Sequence, residues 1–168
     1  MWQYVILLFS AVIFFGFVYA GVLLFGLLSC YSAYAPMWGE MWPNLNRFNV
    51  WSVVTIFSAL LMVPVILTQG EGNTWQFLGF LAPASILLVG ASPDYQTDKF
   101  QWWIHQIGAW SAVGFCLGWI IAVPKLLWVV IPFALAAVGL SIWKKGTWMF
   151  WAEMLVYLTI YTVLFINV

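Results

Sequence analysis

Six long apolar stretches separated by short polar gaps dominate this chain, and formal charge is almost confined to the gaps. Of its ten Asp, Glu, Lys and Arg residues, nine lie in the gaps or at their borders, and Glu153 alone sits inside an apolar stretch. With 65% hydrophobic and 6% charged residues over 168 positions, the chain falls far below the ~25% charge of a soluble domain. Water could not solvate such a surface, so its solvent is lipid. Helices of ~17–25 apolar residues cross a bilayer. The expected fold class is therefore all-α: a polytopic membrane bundle of six transmembrane helices with short loops. One integral membrane domain should cover residues 1–168, with spans at 3–28, 49–67, 75–90, 99–122, 124–143 and 147–166. The third span is short and contains Pro83, which predicts a kink, local thinning or a re-entrant path. Pro132 predicts a kink in the fifth.

Lysine and arginine set the orientation. The odd-numbered gaps carry Arg47, Lys99, Lys144 and Lys145, and the even-numbered ones only Lys125. The positive-inside rule then puts gaps 29–48, 91–98 and 144–146 in the cytoplasm and both termini outside. The expected location is the cell (inner) membrane. Most of the 13 tryptophans, among them Trp2, Trp75, Trp143 and Trp148, fall in gaps or near span ends, as an aromatic belt requires. Trp110 is the mid-span exception, read as a packing or lipid-facing aromatic. The first apolar run has no Lys or Arg before it and is longer than a signal-peptide core of ~7–15 residues, so it reads as a span.

Several chemistries lack their residues. Zero net charge gives nucleic acid no basic surface. Two cysteines and one histidine cannot complete a standard four-ligand zinc site, so no metal is expected. Cys30 and Cys116 fall at different depths and should not bridge. A b-type haem would want two axial histidines, and no phosphate-binding glycine loop is present, so no cofactor is expected. Without an internal repeat, an inverted-repeat transporter has no support.

The remaining polar residues form three groups. Asp98 fits an N-cap for the fourth span, with Gln101 closing a capping-box-like pair. From there Gln101, His105, Gly108, Ala109 and Ala112 share one stripe. Gly108-x-x-x-Ala112 and Gly114-x-x-x-Gly118 are small-x-x-x-small patterns that let helices approach closely. His105 lies six residues beyond Lys99 (~9 Å along a helix), and Glu153 eight beyond Lys145 (~12 Å). Both spans start on the cytoplasmic side, so the two groups should share a depth and could meet across the interface of spans four and six. A carboxylate inside a membrane helix is paired, shielded or functional. Tyr157 and Tyr161 follow Glu153 on one helical stripe, as interhelical hydrogen bonds or the start of a polar path. In gap one, Trp38 and Trp42 are spaced for a single face expected against lipid headgroups. Arg47 could bind a lipid phosphate or pair with Glu40.

The stretch Gly90-Ala91-Ser92-Pro93-Asp94, followed by His105-Gln106-Ile107-Gly108-Ala109, resembles small multi-pass membrane proteins of bacteria and phage whose function is not known. It is also loosely similar to six-helix families of the damage-regulated autophagy modulator type. The resemblance implies a six-helix bundle with the histidine at the cytoplasmic end of a central helix, and it transfers no catalytic residue. Two functional readings follow. The favoured one is a non-enzymatic accessory bundle that binds lipid or a partner, the partner being a second copy or another membrane protein. The alternative is a small intramembrane enzyme or proton-linked carrier using His105, Glu153 and Asp98. A polar cavity around His105 and Glu153 would favour the second, and a dry, packed interface the first.

Overall fold

The computed structural model describes residues 1–41 and 49–167. Among these residues there are helices and no strand: α1 (Trp2–Phe25), a 3-10 turn (Tyr31–Ala33), α2 (Tyr34–Met41), α3 (Val50–Gln69), α4 (Gln76–Gly90), α5 (Lys99–Ala122), α6 (Leu127–Trp143) and α7 (Trp148–Asn167). The all-α class follows from the apolar runs. Four helices, α1, α3, α5 and α7, are long and apolar enough to cross a membrane. α4 and α6, with 15 and 17 residues, are shorter.

Local chemistry explains where the helix ends depart from the hydropathy pattern. α1 stops at Gly26, whose φ of 77° is left-handed and available to glycine, so Leu27 and Leu28 belong to the gap. Lys125 adopts a φ of 56°, and α6 starts at Leu127 instead of 124. Asp98 caps α5 as expected, its carboxylate accepting from the amides of Phe100 (2.7 Å) and Gln101 (3.3 Å). The reciprocal half of the capping box is absent, because the Gln101 side chain accepts from the Asp94 amide instead (2.9 Å).

α4 lies between α3 and α5, α1 flanks the other side of α3, and α7 packs against α1 and α6. The short third apolar stretch forms α4, a continuous helix through Pro83. It is gripped closely. A Cβ at Gly79 would collide with Ile66 and come within 2.7 Å of Trp119, and one at Gly90 within 2.6 Å of Ile56. Of the two small-residue patterns on α5, the first is in use: a Cβ at Gly108 would lie 2.8 Å from the Ser85 carbonyl oxygen of α4. Gly114 faces open space. Inside the bundle, Ser10 of α1 donates to the Ser58 carbonyl of α3 (2.9 Å) and bonds the Tyr161 hydroxyl of α7 (2.7 Å).

Gap one departs from the interfacial reading. Tyr31, Tyr34 and Trp38 are all buried. Trp38 stacks on Phe17 (4.6 Å between centroids) and meets Phe25 edge-on (5.2 Å). It is therefore a core aromatic, not a headgroup contact. Alternating aromatics in a polar gap read as an interface from sequence, but here the segment folds back between α1 and α3. Trp42 and Arg47 lie outside the described residues.

The two small-residue patterns make opposite predictions. Gly108→Ala pushes a methyl group onto backbone that cannot swing away, and should destabilise by about 1–3 kcal/mol. Gly114→Ala has room and should be neutral or slightly stabilising through helix propensity. Thermal unfolding of the purified protein in one detergent compares them directly.

Candidate functional site: a cleft between α5 and α7

The site begins with two hydrogen bonds that tie gap one to α7. The first N–H groups of a helix lack partners within it. In α7 the Phe150 amide finds one outside, donating to the Ser29 carbonyl (3.0 Å). One turn further on, the Glu153 carboxyl accepts from the Tyr31 amide (2.5 Å). Residues 29–31 are thereby strapped across the start of α7. Tyr31 turns its ring inward, where its hydroxyl bonds Thr55 of α3 (2.9 Å) and its ring packs against Trp51 (5.6 Å).

His105 is buried nearby, held by a different set of groups. Its ring stacks on Tyr95 of gap three (4.1 Å, 15° between planes) and lies 6.4 Å from the Trp51 ring. Its Nδ1 lies 3.5 Å from Ser92 Oγ. That hydroxyl also donates within α4, its oxygen lying 2.8 Å from the Leu88 carbonyl and 3.0 Å from that of Val89. A neutral imidazole carries one N–H donor and one bare acceptor nitrogen. The Tyr95 hydroxyl accepts from Ser32 (3.1 Å) and Gln96 (3.0 Å), and lies 3.8 Å from Cys30 Sγ. Burial pushes this phenol up to about 12, with the Ser32 and Gln96 bonds acting the other way, so it keeps its proton at neutral pH. Burial also raises the pKa of Tyr31 and Tyr34.

His105 and Glu153 do not touch: among the described residues no hydrogen bond or ion pair joins them. Each is held by a neighbouring loop. They nevertheless line one cleft of about 490 Å³ bounded by α3, α4, α5 and α7. Such a volume falls within the ~300–1,000 Å³ of ligand sites. Small side chains make the room, namely Ala82, Ala109, Ala112 and Ala152. The lining runs from His105 to Trp119 on α5 and from Trp148 to Ile160 on α7. At 1.5 Å per residue these are lengths of ~21 and ~18 Å. Most of its polar groups gather at one end, in Cys30, Tyr31, Ser32, Tyr95, His105, Gln106 and Glu153. The rest is mainly apolar, with the Tyr157 hydroxyl and the indoles of Trp110, Trp148 and Trp119 as exceptions, and the indole N–H of buried Trp119 has no hydrogen-bond partner. Trp110, Met149 and Val156 line the cleft and are exposed on the outer surface, so the mouth faces sideways between α5 and α7.

Other sequence candidates lie elsewhere. Asp98 caps α5 and does not line the cleft. Tyr157 lines it and stacks on Phe14 (3.9 Å), whereas Tyr161 turns to α1 through Ser10. Sequence reasoning missed Ser32, Tyr95 and the Tyr31 amide. The signal lay in the topology, which brings gaps one and three to the same end as the start of α7. Both cysteines are free, and no three His, Cys, Asp or Glu side chains among the described residues form a group able to hold a metal. Comparison with protein-family models, curated proteins and solved structures returns no match.

The strap gives Glu153 a structural task that glutamine can share, since its amide oxygen still accepts from the Tyr31 N–H. Glu153→Leu orphans that buried amide and should cost about 1–3 kcal/mol more than Glu153→Gln in the unfolding midpoint. Because His105 rests on Tyr95 and Ser92, His105→Ala combined with Glu153→Gln should give additive losses, within about 0.5 kcal/mol.

Proposed function

We propose that this chain is a six-span integral membrane protein that holds a single-chain amphiphile in the cleft between α5 and α7. Its role is binding, as a non-enzymatic lipid-handling bundle. One observation carries the reading: an apolar slot about as long as an acyl chain, open sideways, with most of its hydrogen-bonding groups collected at one end. An amphiphile has the same layout, and a cleft facing the bilayer can be entered from it without passing through water. The cleft is neither a dry interface nor a polar cavity. Its apolar walls and the separate anchoring of His105 and Glu153 weigh against a proton relay or a hydrolytic site.

Six crossings are supported by the way α4 lies along α3, from Gln76 against Leu67 at one end to Gly90 against Ser52 and Ile56 at the other. α4 therefore traverses nearly the height of a helix that is itself long enough to span. The gathering of gap one, gap three and the start of α7 at one end agrees with odd gaps sharing a side. The lysine and arginine bias makes that side cytoplasmic, with both termini outside and the cell membrane as the location.

Two measurements test this reading. A clickable, photoreactive sixteen-carbon amphiphile in proteoliposomes should label peptides of α5 and α7 saturably, and Ala109→Phe, which fills the slot, should remove most of the label. Labelling indifferent to Ala109→Phe would refute binding in the cleft. For topology, single cysteines replacing Asp94 and Lys145 should react only from the cytoplasmic side and one replacing Glu71 only from outside. Reaction of the Glu71 and Asp94 positions from the same side would remove the α4 crossing.

A further inference from the structure

We infer that the cleft selects an amphiphile whose head group donates hydrogen bonds and carries no negative charge, a primary long-chain amine being the best-fitting class. This rests on the amphiphile-binding reading and adds the chemistry of the head. Glu153 is the one acidic side chain on the lining, and no lysine or arginine lies on it. A carboxylate or phosphate head would meet the Glu153 carboxyl with no cationic side chain placed to offset it.

The valences left at the polar end point the same way. Only one Glu153 oxygen is taken, by the Tyr31 amide, so the other remains an acceptor. In its neutral form the His105 ring, also on the lining, carries one bare acceptor nitrogen. Tyr95 already receives two hydrogen bonds, from Ser32 and Gln96. An ammonium offers three donors and a positive charge, matching an end that carries the Glu153 carboxyl and no lysine or arginine. A hydroxyl head supplies one donor and should bind more weakly. The apolar slot beyond takes the chain, which makes a single-chain amine a closer match than a small polar amine.

Three probes that differ only in the head group test this: hexadecylamine, hexadecanol and hexadecanoic acid. Each is added to the full-length protein in phosphatidylcholine nanodiscs, and retention is read by native mass spectrometry after correction for partitioning into the bilayer. The expected order is amine, then alcohol, then acid. The amine should exceed the acid by at least about tenfold, the effect of one charge-assisted hydrogen bond. Glu153→Gln should lower amine retention toward that of the alcohol. Saturable binding with the acid equal to or above the amine overturns the head-group inference alone, as does an amine preference untouched by Glu153→Gln. Absence of saturable binding by all three probes overturns both this inference and the amphiphile-binding reading. The wild-type order decides the matter even if the variant fails to fold.

Discussion

The strap that joins residues 29–31 to the start of α7 sets the geometry on which the cleft depends. Two backbone groups of gap one are spent on it, the Ser29 carbonyl toward Phe150 and the Tyr31 amide toward Glu153. In an apolar surrounding an unmade backbone hydrogen bond is expensive, so these partners hold firmly. The same segment then aims Tyr31 at Thr55 and Ser32 at Tyr95, and sets Cys30 on the lining of the polar end. A carboxyl group that looked anomalous in the chain is thus a backbone acceptor with one oxygen left over.

Lipid as solvent explains the distribution of everything else. Helices gain little from burying apolar side chains that lipid already accommodates, so close approach and internal hydrogen bonds bring them together. The α3–α4–α5 layer is built by close approach at Gly79, Gly90 and Gly108. Hydrogen bonding joins α1, α3 and α7 through Ser10, Ser58 and Tyr161. Between α5 and α7 neither device operates, and small residues on both helices leave a slot there. α6 packs mainly on α7 and buries only Val129 among its residues.

How much of this was legible in the sequence varied with the range of the interaction. Apolar runs are local, so helix class and approximate positions could be read directly, as could the Asp98 cap. Errors at helix ends came from single backbone conformations, at Gly26 and Lys125, that hydropathy does not encode. Trp38 was placed at the headgroups because composition cannot say whether an aromatic segment lies on a bundle or folds into it. For the site, helix direction alone put His105 and Glu153 toward the same end of their helices, and both line the cleft. Their partners did not follow from helix direction, since Ser92, Tyr95 and Tyr31 come from loops whose paths are fixed only by packing. Arg47 and Trp42 lie outside the described residues.

The most direct measurement of the central claim is an experimental map of the protein in lipid nanodiscs, resolved well enough to see side chains. It should contain one elongated density between α5 and α7, following the wall from His105 toward Trp119. The polar end of that density should lie within hydrogen-bond reach of Glu153, with the Tyr31 amide still bonded to the same carboxyl. A cleft closed by α5 and α7 packing together, with Glu153 bonded directly to His105 and no density between the helices, would contradict the account.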